Sequence, residues 1–316
     1  MVARILVCDP IHPSGIKALR SGGFHVDENP HITESELMSR VNDYEVIIVR
    51  GRTKVTRNII QEGKRLRIIA RAGVGTDNID LEAAKRGGVR VITTPGAPSQ
   101  SVAELTIALI LSLLRKIPLA DHSMKQGKWI KAQLHGNELK GKTLGVIGAG
   151  GRIGFEVARI AKQGFGAHVI GYDAVPIQER ASELGMEVAG SIEELLGKSD
   201  IVTIHVPYST STQNLIDKSR ISKMKENAIL VNTSRGRIVD EMAVLQALKT
   251  GKLKGVGLDV YHDEPPREEW EKELVQLPDG KSVCTCHIGG QSEESQISES
   301  MEVAEKIIGF FNVSDA

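Results

Sequence analysis

The fold is decided by the stretch Thr143-Leu144-Gly145-Val146-Ile147-Gly148-Ala149-Gly150-Gly151-Arg152-Ile153-Gly154. Residues 143–147 form an apolar run typical of a buried strand, and residues 152–164 are predicted to form a helix. The glycines between them therefore lie in a strand-to-helix turn. Glycine allows a tight turn and a close approach of the backbone to a ligand, and the helix N-terminus offers unpaired N–H groups and a positive dipole end. The unit is predicted to bind the pyrophosphate of a dinucleotide.

Asp173 follows the next predicted strand, 168–172, and comes 19 residues after Gly154. A carboxylate there can accept hydrogen bonds from both ribose hydroxyls of an adenosine and repels a 2′-phosphate, so NAD is predicted rather than NADP. The spacing of Gly148, Gly150 and Gly154 differs from G-x-G-x-x-G by one extra residue in the second gap. A glycine-rich turn without a ligand is the alternative, and Asp173 argues against it.

Predicted strands and helices alternate on both sides of this turn, which indicates an α/β protein with parallel sheets and helices on both faces. A length of 316 residues suggests two domains. A long helix at 99–125 separates the two series; Pro118 should kink or divide it, and Ser101 with Glu104 resembles a capping box. The other predicted strands are 4–8, 45–49, 67–70, 89–92, 201–205, 228–232 and 255–259, and the other helices are 14–21, 80–87, 192–196, 241–250 and 293–311.

The composition excludes several classes of protein. Lys plus Arg and Asp plus Glu both number 40, so the chain has no global attraction to nucleic acid or to an anionic membrane. The three cysteines, Cys8, Cys284 and Cys286, suit neither a disulfide framework nor a usual zinc site, which indicates reduced thiols and a cytoplasmic protein without a metal. The N-terminus reads as a strand rather than a signal peptide, and no apolar run reaches the roughly 20 residues of a membrane span.

Several further motifs follow one another in a fixed order. With the glycine turn, they make the chain resemble the D-isomer-specific 2-hydroxyacid dehydrogenase family over nearly its whole length, and most of all its phosphoglycerate-specific members of the short type, without an appended regulatory domain. The resemblance implies NAD-dependent oxidation of D-3-phosphoglycerate to 3-phosphohydroxypyruvate, the first step of serine biosynthesis. The motifs are Arg71-Ala72-Gly73-Val74-Gly75-Thr76-Asp77-Asn78-Ile79-Asp80, Val231-Asn232-Thr233-Ser234-Arg235-Gly236, Gly257-Leu258-Asp259-Val260 with Glu264-Pro265-Pro266, and His287-Ile288-Gly289-Gly290.

The resemblance also implies the domain organisation. A doubly wound, parallel-sheet Rossmann domain for NAD is expected at 93–285. It is inserted into a discontinuous, flavodoxin-like substrate-binding domain formed by 1–92 and 286–316. Members of the family are usually dimers or tetramers, so a homodimer or homotetramer is expected, with the helix at 99–125 either at the dimer contact or in the core.

Three residues match the catalytic residues of the family. The resemblance assigns His287 as the base that takes the hydroxyl proton, a role that suits an imidazole because its pKa lies near working pH. Glu264 matches the carboxylate that orients the histidine, and the two prolines after it fix the register against its neighbour Asp263. Arg235 matches the arginine that holds the substrate carboxylate and 2-oxygen through its planar guanidinium.

The remaining site residues are carried over from the same motifs. Arg71 and Gly73 match the loop that meets the substrate carboxylate. Arg50, Arg52 and Lys54 cluster after a strand and could bind a phosphate, or could form a solvated basic loop. The residues expected to line NAD are Val74, Gly148, Gly150, Arg152, Ile153, Asp173, Val206, Pro207, Thr212, Thr233, Asp259 and Gly290.

Two residues depart from the family pattern. Pro98 replaces an asparagine that can contact substrate, and Cys286 replaces the proline before the histidine; an oxidisable Cys286 would make activity redox-sensitive. The alternatives are a reductase of glyoxylate, hydroxypyruvate or another 2-oxo acid, and, in a different class, an NAD(H)-sensing binding protein of the corepressor type.

Overall fold

The computed structural model describes residues 3–277 and 280–314, and the chain divides into two compact units. The first unit combines residues 3–98 with 290–314, and the second consists of residues 99–289. The first unit is therefore discontinuous in sequence. The domain boundaries expected from the sequence, after residues 92 and 285, each lie a few residues before these divisions.

The strands of the described residues are short, mostly of four to six residues. Several have the predicted bounds, among them those at 143–147, 168–172 and 228–232. In chain order the strands are β1 (Arg4–Val7), β2 (His25–Glu28), β3 (Val46–Val49), β4 (Ile68–Arg71), β5 (Arg90–Thr93), β6 (Thr143–Ile147), β7 (His168–Tyr172), β8 (Glu187–Val188), β9 (Ile201–Ile204), β10 (Ala228–Asn232), β11 (Leu253–Leu258) and β12 (Ser282–Cys284).

Helices connect most consecutive strands, as a parallel sheet requires. In chain order they are α1 (Pro13–Ser21), α2 (Glu34–Arg40), α3 (Arg57–Glu62), α4 (Leu81–Arg86), α5 (Ser99–Arg115), α6 (Ile117–Lys125), α7 (Arg152–Arg159), α8 (Gln178–Leu184), α9 (Ile192–Lys198), α10 (Lys218–Lys223), α11 (Glu241–Thr250), α12 (Glu269–Val275) and α13 (Glu293–Ser314).

The first unit is built on a five-stranded sheet in the order β2-β1-β3-β4-β5, and every pairing is parallel. This is the strand order of flavodoxin-like folds. Both faces of the sheet are covered by apolar side chains. On one face Ile5 and Ile48 pack with Leu19 of α1 and Ile307 of α13. The predicted α/β class with helices on both faces is confirmed for this unit.

The second unit contains a seven-stranded parallel sheet in the order β12-β11-β10-β9-β6-β7-β8. Around β6 the order reverses, as it does in the doubly wound Rossmann fold. The bulky strand side chains are buried on both faces, for example Val146, Ile204 and Leu230. The predicted Rossmann architecture is therefore confirmed.

The predicted helix at 99–125 is divided, as Pro118 suggested. The break lies at Lys116, whose backbone is left-handed with φ of 54°, and Pro118 occupies the first turn of α6. Proline is tolerated there because the first N–H groups of a helix have no acceptor within it. The capping box is wrong, because α5 already begins at Ser99 and the hydroxyl of Ser101 donates to the carbonyl of Gly289 at 2.6 Å.

Membrane-spanning helices and metal-binding clusters are both absent from the described residues. Within 3–277 and 280–314, no helix has both the length and the apolar character needed to cross a bilayer. In the same part of the chain, no group of three or more His, Cys, Asp or Glu side chains could hold a metal ion. The cysteines Cys8, Cys284 and Cys286 are all free thiols.

Candidate active site

The candidate site of the second unit lies at the carboxyl edge of its sheet. Because the strands are parallel, the loops that follow them all emerge at this edge. The loops after β6, β7, β9, β10, β11 and β12 carry nearly all residues predicted for NAD and catalysis. These are Gly148, Gly150, Arg152, Ile153, Asp173, Val206, Pro207, Thr212, Thr233, Arg235, Asp259, Glu264 and His287.

The glycine turn after β6 has little room for side chains. Gly148 has φ of +87°, and a Cβ there would lie 2.4 Å from the carbonyl oxygen of His205. A Cβ at Gly154 would lie 2.2 Å from the carbonyl oxygen of Gly148. The helix α7 begins at Arg152 with Gly151 at its N-cap, so its first N–H groups face the turn. This geometry fits the binding of a pyrophosphate at a helix N-terminus.

Asp173 is connected directly to this turn. Its Oδ2 accepts the N–H of Gly150 at 2.9 Å, and a Cβ at Gly150 would lie 2.9 Å from the same oxygen. The carboxylate is therefore fixed beside the turn, where an adenosine ribose would be held if the pyrophosphate lay on α7. The fold thus brings together the two parts of the predicted dinucleotide site.

Two further loops of the edge are folded by hydroxyl groups. The hydroxyl of Thr212 accepts the N–H of Ser209 at 2.8 Å and lies 2.7 Å from the carbonyl of Pro207, so it closes the loop after β9. The hydroxyl of Thr233 lies 2.9 Å from that of Thr106 in α5 and is buried. Thr212 therefore holds backbone in place at this edge, and Thr233 connects the loop after β10 to α5.

The turn that carries Arg235 is shaped by Asn232. The amide oxygen of Asn232 accepts the N–H and the hydroxyl of Ser234, and its amide nitrogen donates to the carbonyl of Arg235 at 2.9 Å. A Cβ at Gly236 would lie 1.9 Å from the carbonyl carbon of Tyr261. Only glycine at 236 therefore permits the Arg235 turn to pack against the loop that carries Glu264.

His287 and Glu264 form a direct pair. The Nδ1 atom of His287 lies 2.6 Å from Oε2 of Glu264, and Oε1 of Glu264 accepts the N–H of Tyr261 at 3.3 Å. Both side chains remain accessible, with 46% and 39% of their surfaces exposed. An ionised carboxylate only accepts, so Nδ1 carries the proton and Nε2 is left as the acceptor.

The electrostatics of Glu264 support this assignment. Burial alone would raise the pKa of the carboxyl, but the hydrogen bond and charge of His287, the N–H of Tyr261 and the charge of Arg235 together lower it. Glu264 is therefore ionised at neutral pH. It can orient the imidazole and stabilise its protonated form.

Asp259 holds the segment on which His287 lies. It is 1% exposed, and its carboxylate accepts hydrogen bonds from the hydroxyl of Thr285 and from the N–H groups of Ile288 and Gly289, at 2.7, 2.8 and 2.9 Å. Its carbonyl accepts the N–H of His287 at 2.8 Å. His287 has φ of 56°, a left-handed conformation that is uncommon outside glycine, and these bonds maintain it.

In the first unit Arg50 makes a shielded ion pair. Its Nη2 donates to Oε2 of Glu299 at 3.1 Å, and the two side chains are 20% and 5% exposed. Burial raises the pKa of Glu299, and the charges of Arg50 and Arg71 oppose that effect. The predicted substrate residues Arg50 and Arg71 therefore both lie near one buried carboxyl, which the sequence did not indicate.

Arg52 has a different environment. Its guanidinium donates to the carbonyls of Cys8 and Ile32 at 2.7 and 3.1 Å, and it lies 3.1 Å from Oδ1 of the buried Asp9. Arg52 thus holds neighbouring backbone together, and its place in a phosphate-binding cluster stays a prediction. Lys54 is exposed on the same loop.

Gly73 has a backbone conformation that glycine adopts readily and other residues rarely do. Its φ is +129°, and a Cβ would overlap Nη1 of Arg71 at 1.3 Å. Its N–H donates to the hydroxyl of Thr94 at 2.7 Å, so this group already has an acceptor. Of the residues predicted to line NAD, Val74 and Gly290 belong to this first unit, and Val74 is exposed.

A family model and individual relatives were compared with the chain. Residues 107–289 match the model described as "D-isomer specific 2-hydroxyacid dehydrogenase, NAD binding domain". The chain belongs to the D-isomer-specific 2-hydroxyacid dehydrogenase family. The second unit thus contains the NAD-binding domain of this family, which confirms the predicted cofactor.

The relatives of this 2-hydroxyacid dehydrogenase carry several names. It is 44% identical to the D-3-phosphoglycerate dehydrogenase of Methanocaldococcus jannaschii, over 97% of the chain but 57% of that relative. It is 41% identical to the hydroxypyruvate reductase of Thermotoga maritima, over 96% of the chain and 97% of the relative. The D-lactate dehydrogenase of Aquifex aeolicus has a similar structure, with a TM-score of 0.85 and 29% identity over 98% of this chain and 95% of the other. The chain spans little more than half the length of the D-3-phosphoglycerate dehydrogenases it matches.

The structure adds residues that sequence reasoning missed. Asn232 belongs to the family motif at 231–236 and shapes the Arg235 turn. Glu299 pairs with Arg50. Glu241 and Glu271 are buried carboxyls near Glu264. A glutamate can be recognised as an unusual residue only when it is known to be buried. The sequence pattern of these helices did not indicate that Glu241 and Glu271 are buried.

Proposed function

We propose that this chain is an NAD-dependent dehydrogenase that oxidises D-3-phosphoglycerate to 3-phosphohydroxypyruvate. The proposal depends above all on one observation. His287, paired with Glu264, lies at the same sheet edge as the glycine turn of the family's NAD-binding domain. A base held by a carboxylate beside a dinucleotide site has the chemistry that alcohol oxidation needs.

In the proposed mechanism His287 takes the proton of the substrate hydroxyl on Nε2, since Nδ1 is committed to Glu264. The imidazolium that forms is stabilised by the adjacent carboxylate. NAD, held at the glycine turn and Asp173, would supply the acceptor for the hydride from the hydroxyl-bearing carbon. In the reverse direction, His287 returns the proton to the 2-oxygen.

Arg235 is proposed to hold the substrate carboxylate and 2-oxygen. Its guanidinium is permanently charged and presents donors in a plane that matches a carboxylate. The Asn232 bonds fix the backbone from which it projects. Its charge also contributes to the low pKa of Glu264, so the two groups act within one electrostatic field.

The phosphorylated substrate is proposed from the cations of the first unit and from the relatives. Arg50 pairs with the buried Glu299, and the charge of Arg71 also acts on that carboxyl, so two guanidinium groups lie near one another in this unit. The phosphoglycerate dehydrogenase of M. jannaschii is 44% identical over nearly the whole chain. Arg50, Arg71 and the Gly73 loop are therefore the proposed contacts for the substrate anions.

A second candidate is the reduction of hydroxypyruvate or another 2-oxo acid. It is favoured by the T. maritima hydroxypyruvate reductase, which the chain matches at 41% identity over 97% of that protein. The catalytic groups serve both reactions equally. The size and charge of the substrate distinguish them.

A homo-oligomer is proposed as the working state. Ile117, Met124 and Trp129 are large apolar residues in or just after α6, and they are 50%, 56% and 78% exposed. We propose that these side chains contact a second copy of the chain, since contiguous exposed apolar surface is typical of a protein–protein contact. Light scattering of the wild-type protein and of Trp129→Glu would test it, since a contact made by Trp129 should weaken in the variant.

The proposed function can be tested by measuring the turnover of a panel of substrates, with the absorbance of NADH as the readout. D-3-phosphoglycerate is compared with D-glycerate in the oxidative direction, and hydroxypyruvate with glyoxylate in the reductive one. We expect the highest kcat/KM for D-3-phosphoglycerate, and a fall in kcat of about 100-fold or more in His287→Ala with NAD binding unchanged. Preference for unphosphorylated substrates would favour the second candidate, and no turnover with any of them would reject both.

A further inference from the structure

Glu271 of α12 is a buried carboxylate aimed at the loop that carries Glu264. It is 1% exposed and lies outside the family motifs of the sequence. Its Oε1 accepts the N–H of Asp263 at 3.1 Å, and its Oε2 accepts the N–H groups of Arg267 and Glu268 at 2.7 and 2.8 Å. One side chain therefore accepts three backbone hydrogen bonds from a single loop.

The positions of these donors matter. Asp263 immediately precedes Glu264, and Arg267 follows the two prolines after it. Glu271 thus fixes the loop on both sides of Glu264-Pro265-Pro266. Pro265 and Pro266 donate no N–H, so Glu271 can bind the backbone of this segment only at the residues that flank it.

Helix capping does not account for this arrangement. A glutamate at the third helical position commonly accepts the N–H of the N-cap residue, and the bond from Glu268 is of that kind. The N–H of Asp263 belongs to a residue eight positions before Glu271 and outside the helix. Its hydrogen bond to Glu271 connects the helix to the functional loop, which a cap alone does not require.

The charge state of Glu271 fits a fixed acceptor. Burial would raise the pKa of this carboxyl, but the N–H groups of Glu268, Arg267 and Asp263 and the nearby His262 lower it. Carboxylates that accept several backbone N–H groups stay ionised in this way. Glu271 therefore keeps its three bonds at neutral pH.

We infer that Glu271 is a positioning residue for the proposed reaction: it holds Glu264 in place to pair with His287. The inference depends on the proposed roles of Glu264 and His287. Glu271 itself does not touch Nδ1 of His287 or the reacting atoms. Its effect passes through the backbone on either side of Glu264.

A double-mutant cycle with Glu264→Gln and Glu271→Gln tests this inference, with the best substrate of the panel and with the NAD dissociation constant measured by fluorescence. Glu271→Gln replaces one acceptor oxygen by a donor facing N–H groups. We expect kcat to fall about 10-fold, with the NAD dissociation constant within about twofold of wild type, because a small misplacement of a catalytic group is costly. If Glu271 acts through Glu264, the double variant should have the kcat of Glu264→Gln alone.

Glu273→Gln is the matched control. Glu273 lies on the same helix, is paired with Lys249 at 2.6 Å and is accessible, so its loss should leave kcat within about twofold. Glu271→Asp retains the charge but withdraws the oxygens, and it replaces Glu271→Gln in the cycle if that variant does not fold.

The outcomes separate the two proposals. The positioning role is overturned if the losses of kcat in the two single variants multiply in the double variant. It is also overturned if the Glu271 variant has wild-type kcat while Glu264→Gln is impaired. Both results leave the proposed function intact. Wild-type kcat in Glu264→Gln overturns the proposed mechanism and this inference with it.

Discussion

Asp259 and His287 are joined through the backbone, because the carbonyl of Asp259 accepts the N–H of His287 at 2.8 Å. The carboxylate of the same aspartate accepts the next two N–H groups, from Ile288 and Gly289. Asp259 is among the residues expected to line NAD. Its oxygens are used within the protein, so its observed task is to shape the turn that presents the imidazole.

Replacing Asp259 by asparagine should disturb this turn. In the variant an amide NH₂ group replaces one carboxylate oxygen and cannot accept the N–H of Gly289. A buried donor without an acceptor lowers the free energy of unfolding by about 1–3 kcal/mol. We expect a lower unfolding midpoint in urea and a fall in kcat of about 10-fold or more. Asp217→Asn is the control, because an asparagine caps α10 as well as the aspartate does; equal behaviour of the two variants would contradict the assignment.

Replacing Asp173 by alanine should change cofactor preference. The carboxylate is fixed against the N–H of Gly150 at 2.9 Å, where it would accept ribose hydroxyls and repel a 2′-phosphate. We expect KM for NAD to rise about 10-fold and the ratio of kcat/KM for NAD over NADP to fall. Glu183→Ala, an exposed site on α8, should change neither value. An unaltered ratio in Asp173→Ala would place the adenosine elsewhere.

Replacing Gly154 by alanine should damage the glycine turn. The added Cβ would lie 2.2 Å from the carbonyl oxygen of Gly148, so the helix must move away from the strand. We expect a loss of about 1–3 kcal/mol in the free energy of unfolding, together with weaker NAD binding. Gly164→Ala is the matched control, since nothing lies within 4 Å of its Cβ. Similar stability of both variants would show that the crowding is relieved without cost.

The buried Glu241 should make stability depend on pH. Burial, and next the charge of Glu271, raise the pKa of Glu241 from an ordinary value of 4.5 to about 8. Between pH 4.5 and about 8, Glu241 is therefore protonated in the folded state and ionised in the unfolded state. The stability that this group contributes is fully present below pH 4.5 and is lost as the pH rises through about 8.

Glu241→Gln is neutral at every pH and should remove this dependence. Relative to wild type, we expect its Tm to rise by about 6 °C between pH 5 and pH 9, measured by calorimetry. Glu273→Gln should show no such trend, because that carboxylate is accessible and paired with Lys249. A constant difference between wild type and Glu241→Gln across this range would show that Glu241 is ionised throughout.

The sequence predicted the buried parts of both sheets better than their margins. Strands such as β6 and β10 are runs of apolar residues, since a parallel strand between two layers of helices is covered on both faces. The edge strand β2 has the sequence His-Val-Asp-Glu and buries only Val26, so no apolar pattern marks it. The helix α3 buries only Ile59 and Ile60, which are adjacent in sequence, so no helical period of apolar residues marks it.

The candidate site shows the same division. The pair of His287 and Glu264 was predicted, because the family motifs specify residue types. The environments of Arg52 and Glu271 were not predictable, since both depend on where backbone carbonyl and N–H groups point after folding. Charge density in the sequence suggested a ligand for Arg52, whereas the fold provides carbonyl oxygens for it.

The functional groups of the second unit come from six loops spread between Gly148 and His287, and each depends on a different strand of one sheet. No shorter fragment contains them all, and six of the seven strands of the sheet, all except β8, carry a contributor. Turnover should therefore report on the folding of the entire sheet. A protease cut that releases β12 would abolish activity as completely as loss of the glycine turn at the other end of the segment.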